Sequence, residues 1–327
     1  MTDQPPKISV ITPTFNRLDV LKRAVCSLES QSFPDFEHII VDDGSTDGTG
    51  EWLSALTDPR FRGYSFSENR GANTARNMGL EMAKAPLVAF LDSDDEFLGD
   101  RLQSVFQTFE GGLDIDLIIS SYFRCERGKM RACVNAGGSV TPDQLERSLV
   151  GYTLAIAGSA ISARKNLLLD AGGFDPSLKR MQDRDLLLRL ARDNSGRSFA
   201  YLSDTPDWTK HDSEDAISGS FVGYATAFNA LIERHPNLET GYRDLVLYNF
   251  ARRLMKALRQ GQLAMAWREF RQSRRTSVLG VPLQRLFSAY LNGRRQRRSF
   301  AQGHTLQDVG ESADQKTVKP RAASHGT

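Results

Sequence analysis

The sequence predicts an α/β fold, in which a mostly parallel sheet is flanked by helices and followed by a C-terminal helical extension. Two observations support this fold class. Short β-branched runs alternate with amphipathic stretches up to about residue 92, and this alternation is typical of a parallel sheet with both faces covered. Polar residues also follow directly on several of the predicted strands, at the edge where such sheets bind ligands. The pattern therefore predicts both an architecture and the position of a site.

The first two strands are bounded by clear local signals. KISVITPTF (7–15) is a short β-branched run between polar and proline residues, which predicts a buried strand. Residues 17–31 carry apolar side chains at 18, 21, 25 and 28, the spacing of one helical face. FEHIIVDDGSTDGT (36–49) predicts a second strand that runs into a turn rich in Gly, Ser and Asp.

The alternation continues through residue 92. GTGEWLSALT (48–57) predicts another helix, and FRGYSFSENRG (61–71) predicts a third strand and its loop. A helix is predicted over 71–85 and a strand over PLVAFLD (86–92). From about 100 to 215 the pattern is mixed, with strands predicted within 114–123 and 197–204 and one clear helix over 184–193.

Beyond residue 216 the pattern is helical. Residues 244–262 and 263–275 predict a helical hairpin, and 282–291 a further amphipathic helix. The chain is therefore divided into an α/β domain over 1–215, a basic helical extension over 216–300 and a polar, aperiodic tail over 301–327 that we expect to be disordered.

Composition indicates a soluble, cytoplasmic protein. The 40% hydrophobic and 25% charged fractions are ordinary for a globular chain. Three cysteines without CxxC spacing argue against a disulfide framework or a zinc site. The chain begins without the apolar run of a signal peptide, and no stretch of ~18 apolar residues predicts a membrane span.

Charge is distributed unevenly along the chain. The net charge is +2, but residues 251–298 contain thirteen Lys and Arg against one acid, Glu269. An acidic body with a basic extension indicates two surfaces with different partners.

The stretch VAFLDSDDEF (88–97) places several acids directly after a buried strand. Asp92 and Asp94 can share a hard divalent cation, Mg²⁺ or Mn²⁺, through oxygen ligands. Because these ions keep waters and bind phosphates as well, the pair indicates a substrate that carries a diphosphate. The alternative is a solvated acidic turn before the helix that starts near Asp100.

Four motifs in this order and spacing are TPTFNR, VDDGSTDGT, GANTARNMGL and FLDSDDEF. Together they resemble the family-two glycosyltransferases, with their Rossmann-like GT-A fold, over about residues 7–215. The resemblance implies a nucleotide-sugar donor, UDP-linked by expectation, a divalent metal, and inversion at the anomeric carbon. Alternatives are a non-catalytic relative that binds nucleotide-sugar, and a nucleotidyltransferase, which is disfavoured because TPTFNR lacks the glycines of a phosphate loop.

The resemblance also implies roles for individual residues. Thr12, Pro13 and Asn16 match the segment that lines the nucleoside pocket. Asp43 matches the position that accepts a hydrogen bond from the nucleobase, while Asp42 is expected to cap the following turn.

Three further positions concern the phosphates and the metal. Arg76 is expected near the nucleotide, paired with phosphate or with Asp92; the alternative is a surface helix cation. Asp92 matches the first acid of the DxD motif, which contacts ribose or metal. Asp94 matches the direct metal ligand.

The segment GGFDPSLKRMQDRDLLLRL (172–190) resembles the part of the family that carries the general base, and Asp183 falls at that position. The preceding acid of the family pattern is replaced by Gln182. Asp185 is the competing acid, although we expect it to pair with Arg189 at i+4. The alternative role for Asp183 is the N-cap of the 184–193 helix.

The remaining expectations concern the metal and the partners. His211 matches loosely a family histidine near metal or diphosphate, and its alternative is a structural role. The resemblance implies a glycan or lipid-linked acceptor, in cell-surface polysaccharide or glycolipid synthesis. The arginines after the 282–291 helix suggest peripheral contact of 279–298 with the anionic inner face of the cell membrane; the alternative is an apolar face packed on the catalytic domain. Nucleic-acid binding is not expected, because no RNA-binding motif accompanies the charge.

Overall fold

A large sheet forms the centre of the fold in the computed structural model. The structure describes residues 5–126, 128–193, 199–211, 221–238, 247–249, 251–252 and 255. Within them, ten strands form one sheet, in the order β3-β2-β1-β4-β9-β6-β10-β5, with β7 paired to β6 and β8 paired to β10.

The strands are β1 Ile8–Thr14, β2 Phe36–Asp42, β3 Phe61–Ser65, β4 Leu87–Phe90, β5 Glu96–Phe97, β6 Leu117–Glu126, β7 Lys129–Cys133, β8 Gly138–Val140, β9 Ile161–Arg164 and β10 Ala200–His211. The α-helices are α1 Leu18–Glu29, α2 Thr49–Ser54, α3 Ala72–Met82, α4 Arg101–Glu110, α5 Pro142–Gly151, α6 Lys165–Asp170, α7 Gln182–Asp193 and α8 Phe221–Arg234. A 3₁₀ turn spans Gly158–Ala160.

The N-terminal half of the sheet is parallel, as the alternation of strands and helices predicts. β1 pairs in parallel with β2 and β4, and β2 pairs in parallel with β3. All residues of β1, β2 and β4 are buried, because helices cover both faces. The helical stripe predicted over 17–31 is confirmed, since Leu21, Val25 and Leu28 lie on the buried face of α1.

The C-terminal half of the sheet is mixed, which limits the prediction of a mostly parallel sheet to the first half. β9 runs antiparallel to β4 and β6, and β7 and β8 add further antiparallel pairs. A parallel neighbour needs a long crossover, usually a helix. β6 and β7 are instead joined by a tight hairpin with Gly128 at φ 75°, so these two strands are antiparallel.

Close packing between α3 and β1 brings helix side chains to the carboxyl edge of the sheet. Gly79 makes this possible, because a Cβ at that position would lie 2.4 Å from Ile11 Cγ2. α3 begins at that edge and carries Arg76 in its second turn. The glycine therefore determines how near this arginine lies to the ends of the strands.

The helices α5, α7 and α8 pack beside the sheet. α7 confirms the helix predicted over 184–193 and begins two residues earlier. The buried residues Phe228, Leu231 and Ile232 of α8 belong to the same core as the strands. α8 therefore packs against the α/β core.

Several sequence expectations lie outside the described residues. They are most of the helix over 244–262, the helices over 263–275 and 282–291, the membrane-facing segment 279–298 and the tail 301–327. In the described part of the chain, no helix combines the length and the apolar character needed to cross a bilayer.

Candidate functional site

Turns at the ends of β1 and β2 are bound to each other at the carboxyl edge of the sheet. Asn16 follows β1 with φ 50°, a left-handed conformation that asparagine tolerates better than most residues. Its side-chain oxygen accepts a hydrogen bond from Thr46 N at 2.8 Å, and its own backbone N donates to Ser45 Oγ at 2.8 Å. Asn16 therefore holds together the turns that follow β1 and β2.

The two acids that end β2 have different tasks. Asp42 Oδ1 accepts a hydrogen bond from Ser45 N at 3.0 Å, which confirms the prediction that Asp42 caps the turn. Asp43 accepts hydrogen bonds from the backbone N of Arg70 at 2.7 Å and of Gly71 at 2.8 Å. A carboxylate offers about four lone pairs. Asp43 thus anchors the start of α3 and keeps acceptor capacity for a ligand.

Thr12 and Pro13 are buried residues of β1. Thr12 is fully buried, and its hydroxyl lies 2.8 Å from His38 Nε2. Burial lowers the pKa of His38 to about 3, so the imidazole is neutral. At the end of the same strand Phe15 is 40% exposed. Phe15 and Asn16 are thus the exposed residues of TPTFNR. The aromatic ring is not among the residues predicted above, although its position after a buried strand is visible in the sequence.

The acids of the DxD turn are each paired with an arginine. Arg76 Nη2 lies 2.6 Å from Asp92 Oδ1, and Arg17 Nη1 lies 3.0 Å from Asp94 Oδ2. Burial disfavours ionisation of Asp92, but Arg76 and Lys210 outweigh it and lower the pKa of that carboxyl. Arg76 is only 4% exposed, so the structure places it in the acidic cluster and not on the surface.

Two further residues of the cluster have no counterpart among the predicted site residues. Asp95 is fully buried and accepts a hydrogen bond from Ser159 Oγ at 2.6 Å. Burial raises the pKa of Asp95 to about 7. Burial disfavours a charged Lys210, but Asp95, Asp92 and Asp94 outweigh it and raise the pKa of that ammonium. No local pattern distinguishes these two residues, because the interaction of Asp95 with Lys210 joins the turn after β4 to the distant strand β10.

His211 lies at the margin of this cluster. Its Nε2 is 2.7 Å from Glu96 Oε1, without the geometry of a hydrogen bond. Among the described residues, no three His, Cys, Asp or Glu side chains are grouped so as to enclose a metal ion. His211 thus faces Glu96, and its role as a metal ligand stays a prediction.

The residues present fit a partly hydrated Mg²⁺ or Mn²⁺. Asp92 Oδ2 and Asp94 Oδ1 receive no hydrogen bond from the described residues, so one oxygen of each carboxylate is free to bind a ligand. Ions of this kind use one or two carboxylates together with substrate phosphates. The donor set is therefore that of a metal held jointly with a diphosphate.

Asp183 lies in the first turn of α7 and not at its N-cap, because the helix already begins at Gln182. Asp183 Oδ1 is shielded from solvent and accepts no hydrogen bond from the described residues. Burial raises the pKa of Asp183 to about 6; Asp92 adds to the rise and Arg76 opposes it. These charges place Asp183 within electrostatic reach of the Arg76–Asp92 pair.

The competing acid Asp185 is enclosed by cations and donors. Arg189 Nη2 lies 2.9 Å from Asp185 Oδ2, which confirms the predicted i+4 pair. His235 Nε2 lies 2.9 Å from Asp185 Oδ1, and Arg192 Nη1 lies 2.7 Å from His235 Nδ1. Because arginine can only donate, Nδ1 must accept and Nε2 carries the proton that is donated to Asp185.

The loop before α7 is held by side chains of α3 and α7. Asn77 exchanges two hydrogen bonds with the backbone of Phe174, at 2.7 and 2.8 Å. Asn73 donates to the carbonyls of Asp175 and Leu178, and Arg189 donates to Gly173 O. This loop therefore carries the chain to Asp183 along a fixed path.

Comparison with known families gives one assignment. The model of glycosyl transferase family 2 matches residues 9–165, about half of the chain. Over 105 residues the chain is 47% identical to the putative teichuronic acid biosynthesis glycosyltransferase TuaG of Bacillus subtilis, covering 32% of this chain and 42% of the relative. Over 111 residues it is 40% identical to the GalNAc(5)-diNAcBac-PP-undecaprenol beta-1,3-glucosyltransferase of Campylobacter jejuni, covering 33% and 36%. The chain thus spans less than half the length of these relatives.

Solved structures similar to this chain share its fold. S. aureus TarS 1–349 in complex with UDP-GlcNAc is 22% identical, with a TM-score of 0.60 over 90% of this chain and 81% of TarS. The mannosyltransferase PcManGT of Pyrobaculum calidifontis, in complex with GDP-Man and Mn²⁺, is 15% identical, with a TM-score of 0.55 over 92% and 84%. At these identities the likeness establishes the fold, which is GT-A.

Proposed function

Residues 9–165 belong to glycosyl transferase family 2, and from this we propose that the protein transfers a sugar from a nucleotide diphosphate sugar to an acceptor hydroxyl. One observation carries the proposal beyond the family. Asp92 and Asp94 after β4, Arg76 on α3 and Asp183 on α7 form one electrostatically coupled cluster at the carboxyl edge of the sheet. These are the groups that bind a charged donor and remove a proton from an acceptor.

The nucleoside end of the donor is assigned to the ends of β1 and β2. The exposed ring of Phe15 offers an apolar face for stacking a base. The lone pairs of Asp43 that the backbone leaves free can accept the N–H of a uracil ring. We therefore propose a UDP-linked donor, in keeping with the UDP-GlcNAc complex of TarS.

The diphosphate end is assigned to the DxD turn. Asp92 and Asp94 would hold Mg²⁺ or Mn²⁺ through their free oxygens, and the PcManGT complex contains Mn²⁺. A bound divalent cation neutralises the charge that builds up on the departing diphosphate. Arg76 and Lys210 add fixed positive charge beside the same turn.

Asp183 is proposed as the general base. A base must have a free lone pair and a pKa near the working pH, and Asp183 meets both conditions, with an unpartnered Oδ1 and a pKa of about 6. In the proposed step Asp183 takes the acceptor proton, the acceptor oxygen bonds to the anomeric carbon, and the bond to the nucleoside diphosphate breaks on the opposite face. The sugar configuration is then inverted.

The acceptor and the cellular setting follow from the relatives. TuaG is named for teichuronic acid biosynthesis, and the Campylobacter enzyme for a substrate linked to undecaprenyl diphosphate. We propose a glycan or lipid-linked acceptor in polysaccharide or glycolipid synthesis, with the protein in the cytoplasm and in peripheral contact with the inner face of the membrane.

The proposal is tested by donor turnover. A panel of nucleotide-sugars is incubated with full-length protein and Mn²⁺, and release of the nucleoside diphosphate is followed with and without candidate glycan acceptors. We expect turnover with UDP-sugars and its loss in Asp183→Asn and Asp94→Asn. Asp193→Asn is the matched control, because Asp193 lies exposed at the far end of α7. Saturable donor binding without turnover by the wild type would instead favour a non-catalytic relative, the alternative suggested by Gln182.

A further inference from the structure

Arg17 occupies one oxygen of the predicted metal ligand. Its Nη1 lies 3.0 Å from Asp94 Oδ2, in a contact where the arginine side chain is 28% exposed and the aspartate side chain 15% exposed. A guanidinium and a divalent cation both require the negative charge of this carboxylate. The two positive charges therefore compete for Asp94.

Helix capping does not account for an arginine at this position. Arg17 is the N-cap residue of α1, where short acceptor side chains are favoured and positive charge is disfavoured by the helix dipole. The side chain makes no capping hydrogen bond, and Leu18 N donates to Asp47 Oδ2 at 3.0 Å. The local structure thus gains nothing from the guanidinium, whose partner is Asp94.

The DxD turn is held in place without Arg17. Arg23 Nη2 donates to the main-chain oxygen of Asp94 at 2.8 Å, and Asp92 N donates to Ser159 Oγ at 2.9 Å. Asp95 N also donates to Asp92 O at 3.0 Å. Arg17 can therefore leave the carboxylate without changing the shape of the turn.

We propose that Arg17 is an exchangeable counter-ion of Asp94: the divalent cation displaces it, and the guanidinium then binds the donor diphosphate. This inference rests on the proposed function, because it needs a metal at Asp94. Arg17 follows β1 at the edge where ligands of such sheets bind, and guanidinium groups match phosphate oxygens well. A diphosphate gives the displaced arginine a new partner, so metal and diphosphate bind cooperatively. By linkage each raises the affinity for the other by the same factor.

The test measures Mn²⁺ binding to the full-length protein by electron paramagnetic resonance, with and without UDP, and so does not depend on turnover. In Arg17→Met we expect Mn²⁺ to bind about fivefold tighter or more without UDP, the lower end of typical coupling factors. The gain in Mn²⁺ affinity caused by UDP should fall by at least the same factor.

Two variants isolate the contact. Lys22→Met removes a positive charge from the same helix, α1, at an exposed position, and it leaves the hydrogen bond of Arg23 that holds the DxD turn in place. We expect its UDP-dependent gain to stay within about twofold of wild type. Arg17→Lys keeps a cation that can compete for Asp94, so its Mn²⁺ affinity without UDP should stay near that of wild type.

The outcomes separate the inference from the proposed function. Equal Mn²⁺ affinity and equal UDP gain in wild type and Arg17→Met, with binding lost in Asp94→Asn, would overturn the exchange and leave the metal site intact. Mn²⁺ binding that is unaffected by Asp94→Asn would overturn the metal role of Asp94, and the exchange with it.

Discussion

The acid limb of the pH–rate profile follows directly from the position of Asp183. An ordinary aspartate titrates near pH 4, whereas burial and Asp92 raise the pKa of Asp183 to about 6. Because the base works only when it is deprotonated, its activity is lost as the pH falls through 6 and not through 4. The deprotonated fraction falls from about 90% at pH 7 to about 10% at pH 5, so kcat/KM should fall about tenfold.

The assay is initial-rate release of UDP from a UDP-sugar at subsaturating donor, since kcat/KM reports the ionisation of the free enzyme. Asp183→Asn should lower kcat/KM at pH 7.5 by about 100-fold or more, the typical contribution of a general base. Gln182→Glu places a second carboxylate beside the base. It should move the acid limb to higher pH by about one unit, because like charges disfavour ionisation.

Asp95 offers a second titration that must be separated from the first. Burial raises the pKa of Asp95 to about 7, and its protonation changes the charge beside Lys210. Asp95→Asn removes this titration and should leave the limb near pH 6. Two results would refute the assignment of Asp183 as the base. One is an acid limb with its midpoint near pH 4 in the wild type. The other is an acid limb near pH 6 that persists unchanged in an Asp183→Asn variant that is still active.

Three other predictions concern stability and partners. Burial lowers the pKa of His38 to about 3, so its stabilising effect is complete above pH 6.5 and is lost progressively as the pH falls towards 3. Between pH 7.5 and 4.5 wild type should lose about 2–3 kcal/mol more in urea unfolding than His38→Gln, and equal losses would contradict this. Gly79→Ala should lower the free energy of unfolding by about 1–3 kcal/mol, because the added methyl group overpacks against Ile11. Gly99→Ala is the control and should have little effect, because the space around Gly99 is open. Similar urea midpoints for the two variants would contradict the close packing of α3 on β1. Deletion of 279–327 should abolish co-sedimentation with phosphatidylglycerol vesicles, whereas phosphatidylcholine vesicles should bind neither the full-length nor the shortened protein. Unchanged binding to phosphatidylglycerol vesicles after the deletion would refute the membrane contact.

The local sequence pattern was sufficient to predict the parallel half of the sheet. β1, β2 and β4 are short runs that are buried on both faces, so each is visible as a run rich in apolar or β-branched residues that is followed by polar residues. The acids after β2 and β4 fall at the carboxyl edge for the same reason. These acids lie close together because the strands run in the same direction. The alternation of strands with helices already predicts that direction.

Helix α5 has a start signal in the sequence that was not used in the prediction. α5 begins with Thr141 as N-cap, Pro142 as its first residue and Gln144 at the third helical position, and the structure contains the full capping box. This combination is a recognised start signal for a helix. The region before it is interrupted by glycines and short strands, so hydrophobic periodicity alone gave no helix there.

Other features depend on contacts between distant segments and have no local signature. The pair of Ser159 and Asp95 joins residues 64 positions apart, and Lys210 is brought to the acids by pairing of β10 with β5 and β6. Asp95 is identical in type to the exposed turn acids of many loops. Only the tertiary structure shows that it is buried.

The choice between the two acids of α7 is decided by their surroundings. Asp185 has both carboxylate oxygens occupied, Oδ1 by His235 and Oδ2 by Arg189. Burial opposes its ionisation, but these two partners outweigh burial and lower the pKa of Asp185. A carboxylate that is bound on both oxygens and has a depressed pKa is a poor proton acceptor near neutral pH. Asp183, two residues earlier, has a shielded oxygen without a described partner and a raised pKa. Asp185 instead connects α7 to the end of α8 through His235, and so holds in place the helix whose first turn carries the proposed base.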